Sequence, residues 1–224
     1  MSMPTAIVPA RGNSKGIPGK NLTDLGGRPL LAYTLDAAAG SGVFDRVVVS
    51  SESPEVRRVA GALGAEALRR PPHLSADHVH TIHVVLHALD ALGLPDDEMV
   101  AMLLPTSPLR LPADVTGAVD RFRAGGVDSV VSVYRSGHHL MHFRTAGEDG
   151  LLAPVGPGRL EVQRQEMDPL YVLNGSVYVS TAGHLRRRKS YHLGRVAPWI
   201  MDEGRSIDVD TAGDLARAAL QLAS

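Results

Sequence analysis

The sequence predicts an α/β protein: a mostly parallel sheet with helices on both faces. Short apolar runs alternate with helix-like segments from the N-terminus to Tyr134, at the spacing of βαβ units. Met99–Leu104 (MVAMLL) is apolar throughout, as expected of a strand buried on both faces of a parallel sheet. At 224 residues the chain suffices for one domain around one continuous core.

Each element follows from its residues. Ala6–Pro9 is the first expected strand and Leu30–Ala39 the first helix. Arg46–Ser50 (RVVVS) is a second strand, and Pro54–Leu63 a helix closed by Gly64, since glycine suits a left-handed C-terminal cap. Ala65–Leu68 is a short strand. Val79–Leu92 is a long helix ended by Gly93 and Pro95. Pro112–Arg123 is helical, with proline in the first turn where no N–H is required. Asp128–Tyr134 is a further strand. Arg135–Pro169 then turns polar, rich in Gly, His and Pro, and without period. A structureless stretch of that size does not suit a compact domain, so an inserted hairpin or arm is expected at about 135–170. The core resumes with Gly175–Ser180, Ala197–Met201 and a last helix, Ala212–Leu222. Met99, Met102 and Trp199 read as packing residues.

Composition narrows the function classes. The formal charge is -1, from 23 basic and 24 acidic residues, which gives no reason to expect a nucleic-acid or membrane-surface partner. There is no cysteine, so disulfides, thiolate catalysis and thiolate metal ligation are excluded. The chain opens without a signal-peptide pattern, and no apolar run approaches the roughly 20 residues of a membrane span. A soluble, cytoplasmic protein is the expectation.

Two motifs carry chemistry. The first is ARGNSKGIPGKN, from Ala10 to Asn21, between the first strand and the first helix. Ser14 stands where a Walker A loop needs glycine, and Asn21 follows Lys20 where Ser or Thr is required. The loop instead places Arg11, Lys15 and Lys20 among Gly12, Gly16 and Gly19, and three cations suit a triphosphate better than a single phosphate. A solvated basic turn is the alternative. The second motif is SIDVD. In a strand, residues i and i+2 share a side, so Asp208 and Asp210 can meet one ion, and hard oxygen ligands beside a phosphate substrate suit Mg²⁺. The alternative is an Asp pair capping the last helix near Thr211.

PARGNSKGIPGKNL, GGRPLLAYTLDAA, FDRVVVSSES, LRRPPHLSAD, PTSPLR, LNGSVYV and RSIDVDTAGDL follow one another along nearly the whole chain. Together they resemble the acylneuraminate (CMP-sialic acid) cytidylyltransferase family. The resemblance implies a Rossmann-like nucleotidyltransferase fold, a homodimer, and the segment after Tyr134 as a dimerisation arm. It implies transfer of CMP from CTP to an acidic small-molecule acceptor, with release of pyrophosphate and Mg²⁺ held by Asp208 and Asp210. Arg11 and Lys20 then serve as catalytic cations on the triphosphate. Gly12, Lys15, Asn21, Arg70 and Thr81 match nucleotide-binding positions. His139, Arg164 and Asn174 match acceptor-side positions.

The acceptor side departs from the family. Leu104 replaces the glutamine before P-T-S-P-L-R, Val172 replaces an arginine, His142 aligns with a lysine, and an aromatic pair is reduced to Ser190-Tyr191. Losing buried hydrogen-bond partners disables a site built around them. The expected acceptor is therefore a small phosphonate or another non-sialic acid of a natural-product pathway. A CMP-N-acylneuraminate (nonulosonic acid) synthetase is one alternative, and a catalytically silent nucleotide-binding dimer is another. His78, His80, His83 and His87 could form a zinc site or be ordinary helix residues. Arg186–Lys189 reads as a solvated helix end.

Overall fold

A computed structural model describes residues 3–155 and 168–223. In chain order it contains β1 (Thr5–Pro9), a tight hairpin of β2 (Asp24–Leu25) and β3 (Arg28–Pro29), then α1 (Leu30–Ser41), β4 (Arg46–Ser51), α2 (Pro54–Ala62) and β5 (Glu66–Arg69). Next come α3 (Thr81–Ala91), β6 (Met99–Met102), α4 (Pro112–Arg123) and β7 (Ser129–Arg135). An arm carries β8 (Arg144–Ala146) and β9 (Leu152–Pro154); β10 (Tyr171–Thr181), α5 (Ala182–Arg188), β11 (Val196–Met201) and α6 (Ala212–Leu222) complete the chain.

The main sheet has the order β11-β7-β10-β6-β1-β4-β5. All neighbours are parallel except β10, which runs antiparallel to both β6 and β7. Strand alternation sorts the core onto two faces. Ala6 and Val8 pack with Leu31, Leu35, Val56, Val115 and Val119 beneath α1, α2 and α4. Ile7 packs the other way, with Val85, Leu89 and Leu185 of α3 and α5. A smaller cluster of Leu25, Leu30, Val209 and Ala218 ties α6 and the C-terminal segment to the loop after β1.

The chain leaves β1 for β4 on one side and later returns to β6 on the other. A crevice forms at such a reversal, outside the carboxyl ends of the strands. Pro9, Arg70 and Leu104, at or just past the ends of β1, β5 and β6, all wall one cleft there.

Three expectations change in detail. β10 starts at Tyr171, before Gly175, because that glycine (φ 67°) accommodates a register shift inside the strand between Leu173 and Tyr178. α3 begins at Thr81, after an extended His80. Asp208 and Asp210 lie outside any strand: their segment is held by the Val209 N–H donating to the Thr106 carbonyl at 2.8 Å. Buried Val209 between two exposed aspartates nevertheless preserves the expected alternation.

Candidate functional site

The glycines of the first loop permit close approach. A Cβ on Gly12 would lie 2.7 Å from Ser53 Cβ, and one on Gly16 would lie 2.1 Å from the Asp210 carbonyl oxygen. The loop is thus wedged between the β4–α2 turn and the aspartate segment. The Gly12 N–H donates to Glu52 Oε1 at 2.7 Å, so it faces this turn and not a phosphate.

The three cations of the loop each meet a carboxylate. Arg11 Nη1 lies 2.7 Å from Asp77 Oδ1, and Lys15 Nζ lies 3.1 Å from Asp77 Oδ2. The two cations hold the Asp77 carboxyl below the ordinary range, Lys15 foremost. Lys20 is buried; its ammonium donates to the Val209 carbonyl at 2.7 Å and to Asp210 Oδ1 at 2.8 Å.

Asp208 and Asp210 wall the same cleft as Arg11 and Lys20. The Asp208 side chain is open to the cleft, yet the protein packed around it displaces enough water to push its carboxyl up; a hydrogen bond from Thr106 opposes this, and the Asp210 charge adds to the rise. The helix-capping alternative does not hold. Thr211 and Asp214 cap α6 reciprocally, and Asp210 takes part through its backbone N–H alone, leaving its carboxylate to Lys20 and the cleft. Two carboxylates in a cleft that also holds Arg11 and Lys20 are a donor set that fits Mg²⁺, which usually takes one or two carboxylates and completes its shell with water and phosphate oxygens. Among the described residues no group of three or more His, Asp or Glu could hold a metal, which removes the zinc reading of the histidines. His87 packs near Arg70, and burial, reinforced by that guanidinium, pushes its imidazole pKa down.

At the far end of the cleft Arg70 is buried, with Nη2 2.7 Å from Glu52 Oε2. Asn21 is buried and donates its amide to the Arg11 carbonyl at 2.8 Å, which fixes the arginine's backbone. Arg70, Asn21, Ser75 and Thr81 all wall a cavity of about 310 Å³. Thr81 and Leu104 also wall a second cavity, about 530 Å³, completed by Met102, Tyr178, Ser190 and Tyr191. There Leu104 packs on Gly175, its Cδ1 2.8 Å from where a Cβ would stand. Tyr191 is buried against Tyr178 (centroids 5.7 Å apart), and its hydroxyl has no hydrogen-bond partner among the described residues.

Other predicted residues lie elsewhere. Asn174 is buried outside both cavities. It accepts from Ser132 Oγ at 2.6 Å and donates to Ser206 Oγ at 2.9 Å, so it braces β7 against the segment leading to Asp208. His139 sits on the arm, accepting from the Met141 N–H. Arg164 lies outside the described residues. Arg186 pairs with Asp96 at 2.6 Å on the surface, as a solvated helix end requires. The sequence reading missed Glu52 and Asp77. The signal was present: both are carboxylates inside quoted motifs, SSES and LSAD, and Glu52 lies just past an expected strand.

A doubly wound sheet with a cation-lined cleft at its switch point is the architecture of nucleotide-binding α/β proteins. CMP:2-keto-3-deoxy-manno-octonic acid synthetase, solved complexed with CTP, shares the fold at a TM-score of 0.76 and 17% identity over 99% of both chains. The 4-diphosphocytidyl-2C-methyl-D-erythritol synthase of Anaerococcus prevotii shares it at 0.66 and 13%, over 100% of this chain and 99% of that one. A family model described as cytidylyltransferase matches residues 5–145. The chain is 36% identical to CMP-N,N'-diacetyllegionaminic acid synthase of Legionella pneumophila, over 94% of this chain and 92% of that protein. It is 32% identical to N-acylneuraminate cytidylyltransferase of Streptococcus agalactiae serotype V, over 94% of this chain and 51% of that protein. This chain belongs to the cytidylyltransferase family. It spans about half the length of the N-acylneuraminate relatives it matches. Among the described residues no helix is long and apolar enough to cross a membrane.

Proposed function

We propose that this protein transfers CMP from CTP to a hydroxyl of a sialic-type (nonulosonic) acid and releases pyrophosphate. The observation that carries this is the convergence of Arg11, Lys20, Asp208 and Asp210 on one cleft that adjoins a larger cavity through Thr81 and Leu104. The acceptor hydroxyl attacks the α-phosphorus, the bond to the bridging oxygen breaks, and pyrophosphate leaves with its charge spread over its oxygens. Positioning and charge neutralisation dominate such a step. Arg11 grips two phosphoryl oxygens with its planar fork; Lys20 and Lys15 act as point charges on the outer phosphates. Arg70, Asn21 and Thr81 line the end of the cleft that takes the cytosine. Asp208 and Asp210 would hold Mg²⁺, which when bound polarises the phosphate oxygens and lowers the pKa of a hydroxyl beside it.

The volume of the second cavity supports a sugar-sized acceptor: about 530 Å³ lies inside the roughly 300–1,000 Å³ usual for small-molecule pockets. The two sequence relatives, at 32% and 36% identity, are named for acids of that kind. One observation favours the second reading, a small phosphonate: Leu104 offers an apolar wall where the family pattern has a glutamine. An acceptor panel of N-acetylneuraminate, N,N'-diacetyllegionaminate and 2-hydroxyethylphosphonate, read by CMP-conjugate formation, separates the two. CTP binding without turnover of any acceptor would instead favour a silent nucleotide-binding protein.

A homodimer belongs to the same reading. The arm and the start of β10 expose Leu140, Phe143, Leu151, Leu152, Val155 and Leu173, a load of apolar surface that suits burial against a second copy. Light scattering of the full chain tests it, and a monomer at micromolar concentration would sink it.

A further inference from the structure

Glu52 follows β4 and stands behind the cleft, bonded to Arg70 and Ser75, which wall it. Its carboxylate accepts three bonds at 2.7 Å each: the Gly12 N–H at Oε1, and Arg70 Nη2 and Ser75 Oγ at Oε2. These partners come from the phosphate loop, from the end of β5, and from the 72–75 turn that leads to Thr81. Gly12 presses onto Ser53, the next residue, so the loop has no room to slide along this turn. Arg70 has no other acidic partner among the described ion pairs, and its Nε is buried without a partner.

We propose that Glu52 is the positioning residue of the nucleotide site: one carboxylate sets the distance and orientation between the phosphate loop and the base-facing Arg70. The inference rests on the CTP reading above. A guanidinium buried without a counter-charge would reorient or draw in water, since an unpaired buried charge is strongly disfavoured. Without Glu52, Arg70 loses its counter-charge and Gly12 loses its tether in the same change. Nucleotide selection and triphosphate placement should therefore fail together, although Glu52 does not itself wall the cleft.

The test uses the full chain and compares Glu52→Gln, Glu52→Asp and Ser75→Ala. Binding of CTP, UTP and inorganic tripolyphosphate is measured by calorimetry, alongside pyrophosphate release and melting temperature. Glu52→Gln keeps the shape but turns an NH₂ or a neutral oxygen towards Arg70. It should raise the CTP KM at least tenfold, cut the preference for CTP over UTP at least fivefold, and weaken tripolyphosphate. Glu52→Asp keeps the charge and should recover most of the CTP preference. A purely structural role would lower the melting temperature and leave the CTP/UTP ratio where it was.

A folded Glu52→Gln whose CTP KM and CTP/UTP ratio stay within twofold of wild type overturns the proposal. Should that variant not fold, the decision passes to Ser75→Ala and Glu52→Asp: a CTP KM unchanged in both overturns it, and a two- to fivefold rise in either supports it. Failure of the CTP reading looks different, because wild type itself would then bind no CTP.

Discussion

The ammonium of Lys20, in the first loop, sits 2.8 Å from Asp210 Oδ1, near the other end of the chain. That pair joins the cation loop to the proposed metal carboxylates, with the lysine side chain only 10% exposed and the aspartate open to the cleft. Removing the lysine leaves the Val209 carbonyl and Asp210 without their shared donor. Lys20→Met should lower kcat/KM for CTP by about a hundredfold, on the order of 2.7 kcal/mol of transition-state stabilisation. Asp210→Ala should abolish Mg²⁺-dependent turnover with the fold retained. Steady-state pyrophosphate release checks both, and near-wild-type rates would remove these assignments.

Asp77 holds Arg11 and Lys15 at the mouth of the cleft, where phosphate oxygens would compete for the same donors. Asp77→Asn should lower the KM for CTP two- to fivefold in dilute buffer. Surface charges are screened as the Debye length shortens, so the advantage should fade at roughly 0.5 M salt. A KM that rises in the variant would show that Asp77 aids nucleotide binding.

Gly16 meets backbone where Gly19 meets open space. Gly16→Ala would force a Cβ to within 2.1 Å of the Asp210 carbonyl and should cost at least tenfold in activity together with a lower melting temperature. Gly19→Ala carries only the left-handed backbone penalty, about 1 kcal/mol, and should remain active. Equal activity in the two variants would contradict the close-approach account.

Glu52 also predicts an acid dependence of stability. Burial pushes its carboxyl up, but hydrogen bonds from Arg70, Ser75 and Gly12 outweigh that and hold it at about 2. A carboxyl depressed in the fold contributes fully above its unfolded value, near 4.5, and loses that contribution as pH falls towards 2. After discounting for partial exposure the contribution is on the order of 1–2 kcal/mol. The gap in urea midpoint between wild type and Glu52→Gln should be full at pH 6 and reduced at pH 3. A gap independent of pH would argue against the ion pair with Arg70.

Leu104 stands between the two cavities. Leu104→Gln places an amide between the two cavities and should raise kcat/KM for N-acetylneuraminate severalfold if the rest of that pocket accepts an N-acyl sugar. Competition assays between N-acetylneuraminate and a phosphonate would register the change. A neutral effect, with phosphonate turned over by wild type, would favour the small-acceptor reading.

Local patterns carried the architecture because they depend on neighbours in the chain. The apolar run at Met99, the proline that starts α4 at Pro112 and the polar cap that starts α6 at Thr211 each specify an element through periodicity or capping. The cation loop and the aspartate pair were likewise legible as motifs, and the resemblance joined them to CTP. Tertiary structure alone decided what those residues face. Gly12 lends its N–H to Glu52, Asn174 braces strands away from both cavities, and Arg11 and Lys15 converge on Asp77. Glu52 collects partners 18, 23 and 40 residues away. Such pairings arise when separate strands deliver their carboxyl ends to one crevice, and no local period records them. The sequence by itself determined the sheet, the charges of the loop and the family; the packing of strand ends determined how the cleft is held together.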